Sequence, residues 1–133
     1  MAVLIDTGLL VDHERGVANP LVDAAIGGED RAISVITVSE LLHGVHRADG
    51  AQRACRSAFV EHLLAGMRAF EITEQVARVH AGIWAQIAAR GEVIGAHNLW
   101  IAATALAHGM GLATANTREF DRVPGLRLIA PPT

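Results

Sequence analysis

The sequence predicts an α/β fold, a three-layer α/β/α sandwich around a central, mostly parallel sheet of four or five strands. Three observations support this: short apolar runs recur, helical segments separate them, and turn-forming residues mark the joins. Buried strands that alternate with helices are typical of a parallel sheet covered on both faces. At 133 residues, we expect one domain, residues 1–133, with a sizeable core.

The apolar runs predict the strands. Each is about four residues long and is bounded by polar or turn-forming residues, as expected for buried strands. The Pro124-Gly125 turn leads into the last run. The predicted strands are residues 2–5 (AVLI), 32–35 (AISV), 69–72 (AFEI), 111–114 (GLAT) and 126–129 (LRLI).

The segments between the strands predict helices. Thr37 or Ser39 is expected to cap the helix that follows the second strand. Residues 51–67 are amphipathic, with an apolar face made of Ala54, Ala58, Leu63 and Met67.

Two further helices follow. One begins at Thr73 and ends at Gly91, and the other covers residues 97–108 and ends at Gly109. The first should bury a stripe formed by Val76, Val79, Ile83 and Ile87. The tail of residues 130–133 (APPT) is expected to be loose.

Composition limits the classes of function. The single cysteine, Cys55, excludes an internal disulfide and favours a reducing compartment. No secretion signal and no apolar span of about 18 residues is present, so we expect a cytoplasmic protein without a membrane partner. Because the net charge is −3, any nucleic acid must be bound by a local basic patch.

Polar residues follow several of the predicted strands. Ligands in open parallel sheets bind beyond the carboxyl ends of the strands, so these residues are candidates for one site. Each alone also has a structural explanation, for example Asn98 as a helix cap. As a set, they provide the oxygen ligands that Mg²⁺ prefers, which favours phosphodiester hydrolysis. The candidates are Asp6, Glu40, Asn98, Asn116 and Glu119.

Other chemistries have less support. His43 and His46 share a helix, but no third ligand at a recognised spacing joins them in a zinc site. The DTG at residues 6–8 also occurs in aspartic proteases, which are all-β proteins. The chain contains no phosphate-binding glycine loop and no G-x-S-x-G nucleophile motif.

Three segments carry a family resemblance: VLIDTGLLV, ISVITVSELLHGV and IGAHNLWIAATALAHGMGLATANTREFDRVPGLRL. Together they resemble the PIN-domain ribonucleases, specifically the VapC toxins of VapBC toxin–antitoxin systems. The resemblance implies a PIN-like fold and a Mg²⁺- or Mn²⁺-dependent endoribonuclease that cleaves tRNA or rRNA. It also implies a homodimer, a higher toxin–antitoxin assembly, and a VapB-type antitoxin that places a basic side chain in the acidic pocket.

The resemblance also implies roles for individual residues. Asp6 and Glu40 match metal-binding acids of the family, and Asn98 falls where the family has a third metal-binding Asp. The fourth acidic position corresponds to Asn116 or Glu119. Gly8 is a milder departure, because Asn or Ser is more usual there and could orient the preceding acid.

Substrate contacts are assigned to arginines near these positions. We expect phosphate contacts from Arg15 and Arg118, with Arg47 and Arg122 as further candidates.

Asn98 leaves the activity of the chain open. An amide oxygen can bind Mg²⁺ but carries no charge, so we expect impaired metal binding and cleavage. Asn98 is either a deliberate replacement of Asp or a natural variant. The alternative function is a catalytically inactive PIN scaffold that binds antitoxin or RNA, and a weaker alternative is a metal-dependent phosphatase. Part of the apolar helical content between Ala51 and Ile87 is expected at a subunit or antitoxin interface.

Overall fold

A computed structural model describes residues 2–16 and 30–129 of the chain. Short strands alternate with helices along the described residues, as the sequence predicts. The elements are β1 (Val3–Ile5), α1 (Thr7–Glu14), β2 (Arg31–Ser34), α2 (Val35–Arg47), α3 (Gly50–Ala65), β3 (Arg68–Phe70), α4 (Glu74–Ala89), α5 (Ala96–Ala107), β4 (Gly111–Ala113), α6 (Thr117–Phe120) and β5 (Leu128–Ile129).

The five strands form one sheet in the order β3-β2-β1-β4-β5. Every described pairing is parallel, which confirms the predicted sheet. Because β1 lies between β2 and β4, the carboxyl ends of these three strands are neighbours at one edge of the sheet. The candidate site lies at this edge.

The two faces of the sheet carry separate apolar clusters. Successive side chains of a strand point to opposite faces, so Leu4 packs in one cluster and Ile5 in the other. The Leu4 cluster is covered by α4 and α5, and the Ile5 cluster by α1, α2 and α3. This arrangement confirms the three layers.

The start of α2 differs from the prediction. β2 ends at Ser34 and Val35 is already helical, so the strand lies one residue earlier than expected. Ser34 is the N-cap, and its side chain accepts a hydrogen bond from the Ile36 N–H at 3.1 Å. Thr37 and Ser39 therefore lie within the helix and do not cap it.

The buried face of α3 also differs from the prediction. Ala54 and Ala58 are exposed, whereas Val60 and Leu63 are buried. An alanine methyl group gains little from burial compared with a branched side chain, so the larger residues decide which face packs against the sheet. Met67 follows the helix and is half-buried.

Both later helices end as predicted. Gly91 and Gly109 follow α4 and α5 with φ angles of 69° and 64°, in the left-handed region that favours glycine. The predicted stripe of α4 is confirmed for Val76, Ile83 and Ile87, which are buried, whereas Val79 is half-buried. The predicted loose tail, residues 130–133, lies outside the described residues. No helix within them is long and apolar enough to cross a membrane.

Thr73 provides a test of helix capping. Its side chain accepts a hydrogen bond from the Val76 N–H at 3.2 Å at the start of α4. We expect Thr73→Ala to lower the free energy of unfolding by about 1 kcal/mol, because one N-terminal N–H loses its partner. The measurement is urea denaturation. Ser57→Ala, inside α3, is the matched control and should change stability by less than about 0.5 kcal/mol.

Candidate active site

Asp6 lies at the centre of the carboxyl edge, directly after β1. It is 7% exposed. Its Oδ2 accepts a hydrogen bond of 2.8 Å from the hydroxyl of Thr114, which directly follows β4. The Asp6 N–H donates to the carbonyl of Ala113 at 2.9 Å. These two bonds fix the carboxylate between the central strands.

The Asp6 carboxylate carries an unfavourable charge. Burial raises the pKa of Asp6 above its usual value, and the nearby charges of Glu40 and Glu119 raise it further. Hydrogen bonds from the Thr114 hydroxyl and the Thr7 backbone lower this pKa, but burial prevails. No cation among the described residues forms an ion pair with Asp6. A bound cation would therefore stabilise the ionised form.

Glu40 projects from α2 toward the start of α1. Its Oε1 accepts a hydrogen bond of 2.7 Å from the Thr7 hydroxyl, which also hydrogen-bonds to Thr37 Oγ1 at 2.9 Å. Glu40 Oε2 lies 3.5 Å from His97 Nδ1. One carboxylate oxygen is thus positioned by a hydroxyl, and the other faces the first turn of α5.

Asn98 is the third residue of α5 and does not cap the helix. The N-cap residue is Gly95, and no side chain caps this end. The Asn98 side chain instead lies near Glu119 and lowers the pKa of that carboxyl group. Of the two structural explanations for Asn98, the capping role is therefore wrong, and Asn98 lies in the first turn of the helix.

Glu119 joins three partners, of which Gly95 and Asn98 come from a different segment of the chain. Its Oε1 accepts from the Gly95 N–H at 2.5 Å, and its Oε2 accepts from Asn116 Nδ2 at 3.0 Å. Together with the nearby Asn98 amide, these contacts form what we call the Glu119 latch. The Gly95 N–H is the main reason that the pKa of Glu119 is below its usual value, and the two amides lower it further.

The Glu119→Gln variant tests the contribution of the Glu119 latch to stability. A glutamine can accept one hydrogen bond, but its NH₂ group faces the amide donors, so we expect a loss of stability of about 1 kcal/mol at neutral pH. Because the folded-state pKa of Glu119 is depressed, ionised Glu119 contributes to the free energy of unfolding above the unfolded-state pKa. This contribution is lost as the pH falls through the folded-state pKa. The difference between the two proteins in urea denaturation should therefore shrink on acidification, and a pH-independent difference would contradict the latch.

The structure brings the predicted residues together at one edge in two groups. Asp6 and Glu40 interact electrostatically, and Asn98, Asn116 and Glu119 form the latch beside them. Within residues 2–16 and 30–129, no three His, Cys, Asp or Glu side chains could by themselves hold a metal ion.

Gly8 lies next to the Asp6 carboxylate, at the position where the family more often has Asn or Ser. A Cβ atom at Gly8 would lie 3.8 Å from Asp6 Oδ2. This is ordinary van der Waals contact, so a side chain at this position would reach the carboxylate.

The four candidate arginines lie in different places. Arg15 and Arg47 line a cleft of about 780 Å³ that begins at Thr7, Glu40 and His97. Arg118 is exposed on α6 and does not line this cleft. Arg122 donates to the carbonyl of Val93 and lies beside Glu92, so it holds the loop before α5.

Two positioning residues were missed by sequence reasoning. Thr7 holds Glu40, and Thr114 holds Asp6. Thr114 directly follows β4, and Thr7 lies two residues after the end of β1. A hydroxyl at that edge of the sheet is the signal that could have found them.

Comparison with known proteins identifies the family. The model of the PIN domain family matches residues 3–126. Ribonuclease VapC1 of Rickettsia felis is 30% identical over 130 residues, which cover 97% of this chain and 96% of that protein. The chain is a PIN-domain protein of the VapC ribonuclease family. PIN-domain ribonucleases generally depend on divalent metal ions.

Other VapC proteins and solved structures agree with this assignment. The tRNA(fMet)-specific endonuclease VapC of Salmonella typhimurium is 34% identical over 97 residues, covering 72% of this chain and 71% of that protein. The DNA-bound VapBC complex from Salmonella typhimurium matches the fold with a TM-score of 0.89 at 24% identity, covering 98% of both chains. FitAB bound to an IR36 DNA fragment matches with a TM-score of 0.83 at 30% identity, covering 96% of this chain and 94% of that chain.

Proposed function

We propose that this VapC protein is the toxin of a type II toxin–antitoxin system and acts as a divalent-metal-dependent endoribonuclease. The observation that carries the proposal is the buried Asp6 carboxylate, which lies beside Glu40 at the carboxyl edge and has no cationic partner among the described residues. Its substrate is cellular RNA, either tRNA or rRNA. One of its relatives is named a tRNA(fMet)-specific endonuclease.

The donor set fits Mg²⁺ or Mn²⁺. Asp6 and Glu40 would hold the ion through carboxylate oxygens, and Asn98 would offer an amide oxygen. Hard cations of this kind commonly use one or two carboxylates and retain several waters. Glu119 and Asn116 support this site through the latch. Asn116 is therefore a positioning residue in our proposal, with its Nδ2 committed to Glu119.

The residues of the chain orient the reaction. When bound, the metal ion supplies Lewis-acid chemistry, which lowers the pKa of water and neutralises charge on the phosphodiester. The Thr114 hydroxyl fixes the Asp6 carboxylate, and the Thr7 hydroxyl holds Glu40 Oε1. With Oε1 held in this way, Glu40 Oε2 is the oxygen that would contact the ion.

Asn98 impairs this reaction in our proposal. It carries no charge, and its side chain is engaged with Glu119. The site therefore has fewer anionic ligands than the family pattern, and metal affinity should fall. The test is metal-dependent RNA cleavage by this chain and by Asn98→Asp.

The uncharged side chain of Asn98 also favours a second candidate function. A PIN scaffold that binds antitoxin or RNA without cutting needs no third carboxylate, and Asn98 supplies none. Titration calorimetry with Mn²⁺ separates the candidates. The nuclease takes up Mn²⁺ once Asn98 is replaced by Asp, whereas the scaffold takes up none in either form.

The proposed partners are a VapB-type antitoxin and a second copy of the chain, which together form a higher toxin–antitoxin assembly. Support comes from the solved relatives, several of which are VapBC complexes. The exposed faces of α3 and α4, which include Trp84 at 60% exposure, are the proposed contact region.

A further inference from the structure

The cleft beside the active site lies between α1 and α2. Its volume is about 780 Å³. Thr7, Val11 and Arg15 recur at four-residue spacing along one wall, and Glu40, Gly44 and Arg47 lie along the other. Since residues three to four positions apart share one helical face, each wall is a single face of its helix or of the turn that follows it.

The two walls are joined at both ends. At the inner end, the Thr7 hydroxyl donates to Glu40. At the outer end, Arg56 donates to Glu14 Oε1 at 2.7 Å and to the Gly44 carbonyl at 3.3 Å. The helices therefore run outward from the active site side by side, with carboxylates at the inner end.

The outer end of the cleft is basic. Arg56 is neutralised by Glu14, whose side chain is 19% exposed. Arg15 and Arg47 are exposed, and no carboxylate in the described part of the chain pairs with either. Two arginine guanidinium groups are thus available at the same end of the cleft, and guanidinium binds phosphate well.

We infer that a single RNA strand leaves the reaction centre along the α1–α2 cleft and that Arg15 and Arg47 hold its phosphates. The inference rests on the proposed function and adds the path of the substrate. Because Asp6 is 7% exposed, the reacting phosphodiester must descend into a recess. A single strand has the torsional freedom to do so, whereas a duplex holds its backbone on the outside.

Helix geometry gives the distance between the two ends. Arg47 lies seven positions after Glu40, so their Cα atoms lie about 10 Å apart along the α2 axis. A stacked strand carries one phosphate per ~3.4 Å. The arginines therefore contact the backbone about three phosphates from the cleaved bond. Backbone contacts hold any sequence equally, so this part of the cleft positions RNA without reading its bases.

The test is the salt dependence of RNA binding. The probe is a short fluorescent single-stranded RNA in Mg²⁺ buffer, with fluorescence anisotropy as the readout and a gel to verify that the RNA stays intact. Each phosphate contact contributes about 0.7 to the slope of log K against log salt. Arg15→Gln and Arg47→Gln should each reduce the slope by about 0.7, and the double variant should reduce it by about 1.4.

Arg78→Gln is the matched control. It removes the same charge from α4, where Arg78 pairs with Glu74 and both side chains are exposed. This variant should leave the slope unchanged, and thermal melts should show that all variants fold. Equal slope losses in the control and the cleft variants would overturn the inference, because a general effect of charge would explain both.

The remaining outcomes separate this inference from the proposed function. An unchanged slope in the double variant overturns the inference even if Asn98→Asp cleaves RNA. If the double variant keeps the RNA slope but loses affinity for an acidic peptide, the inference is also overturned, because the occupant of the cleft is then a protein. A reduced slope supports the inference even if no variant cleaves RNA, which would refute only the nuclease.

Discussion

Asn98→Asp is expected to cleave RNA in the presence of Mg²⁺ or Mn²⁺ at least about 100-fold faster than the chain with Asn98. The expected magnitude is based on other metal sites, in which a change to a residue outside the ligands costs about 10- to 100-fold in affinity or activity. The new carboxylate would add a third anion to the pair formed by Asp6 and Glu40. The measurement is a time course of RNA cleavage at saturating and at low metal concentration.

The latch predicts a cost that accompanies this gain. The introduced carboxylate would lie close to Glu119, where Asn98 now provides an amide. Two carboxylates at this distance repel each other. We therefore expect the Asn98→Asp protein to have a lower Tm than the parent in EDTA and a larger rise in Tm when Mn²⁺ is added.

Two controls accompany this experiment. Asn98→Ala removes the amide without adding charge, so it should lose the latch contact and gain no cleavage. Glu40→Gln in the Asn98→Asp background should abolish the regained cleavage. Equal cleavage rates for the parent and the Asn98→Asp protein across the metal series would show that position 98 does not bind the metal.

Asp6→Asn, introduced into the Asn98→Asp protein, is expected to abolish the regained cleavage and to raise the Tm of the metal-free protein by a few degrees. The amide oxygen of the new side chain can still accept the hydrogen bond from the Thr114 hydroxyl. The substitution removes a buried charge that Glu40 and Glu119 destabilise. A residue that lowers the stability of the fold and is required for activity is typical of a functional site.

The pH dependence of this effect follows from the direction of the pKa shift. The folded-state pKa of Asp6 is raised, so ionised Asp6 lowers stability at neutral pH relative to the uncharged amide of the Asp6→Asn variant. The difference in stability between the two proteins decreases as the pH falls through the folded-state pKa of Asp6, and it is absent below the unfolded-state pKa. Thermal melts of both proteins across this range provide the measurement. A stabilising effect of Asp6→Asn that grows on acidification would show that burial of the charge is not its cause.

The strands could be predicted because each overlaps a short apolar run, although β3 and β5 differ from the predicted ranges by two residues at one end. β1 and β4 match AVLI and GLAT to within one residue at each end. The capping residue of α2 was not predictable in the same way, because Ser34, Thr37 and Ser39 are all hydroxyl residues near the helix start. The choice depends on backbone conformation, and Ser34 has the extended φ and ψ angles of an N-cap, whereas the other two are helical.

The site was predictable where topology alone decides it. Parallel strands place Asp6 at one edge, and the helix after β2 brings Glu40 there. The latch was not predictable, because Gly95 and Glu119 are 24 residues apart and meet through the folding of two loops. No periodicity or local motif encodes such a contact.

The hydrogen bond between Asp6 and Thr114 spans 108 positions of the chain. During synthesis on the ribosome, β1 emerges early but cannot pair with β4 until Gly111–Ala113 have left the exit tunnel. The nascent chain therefore lacks a complete site around Asp6 for most of its translation. Such long-range pairing also slows folding, so the surroundings of Asp6 are among the last parts of the sheet to form.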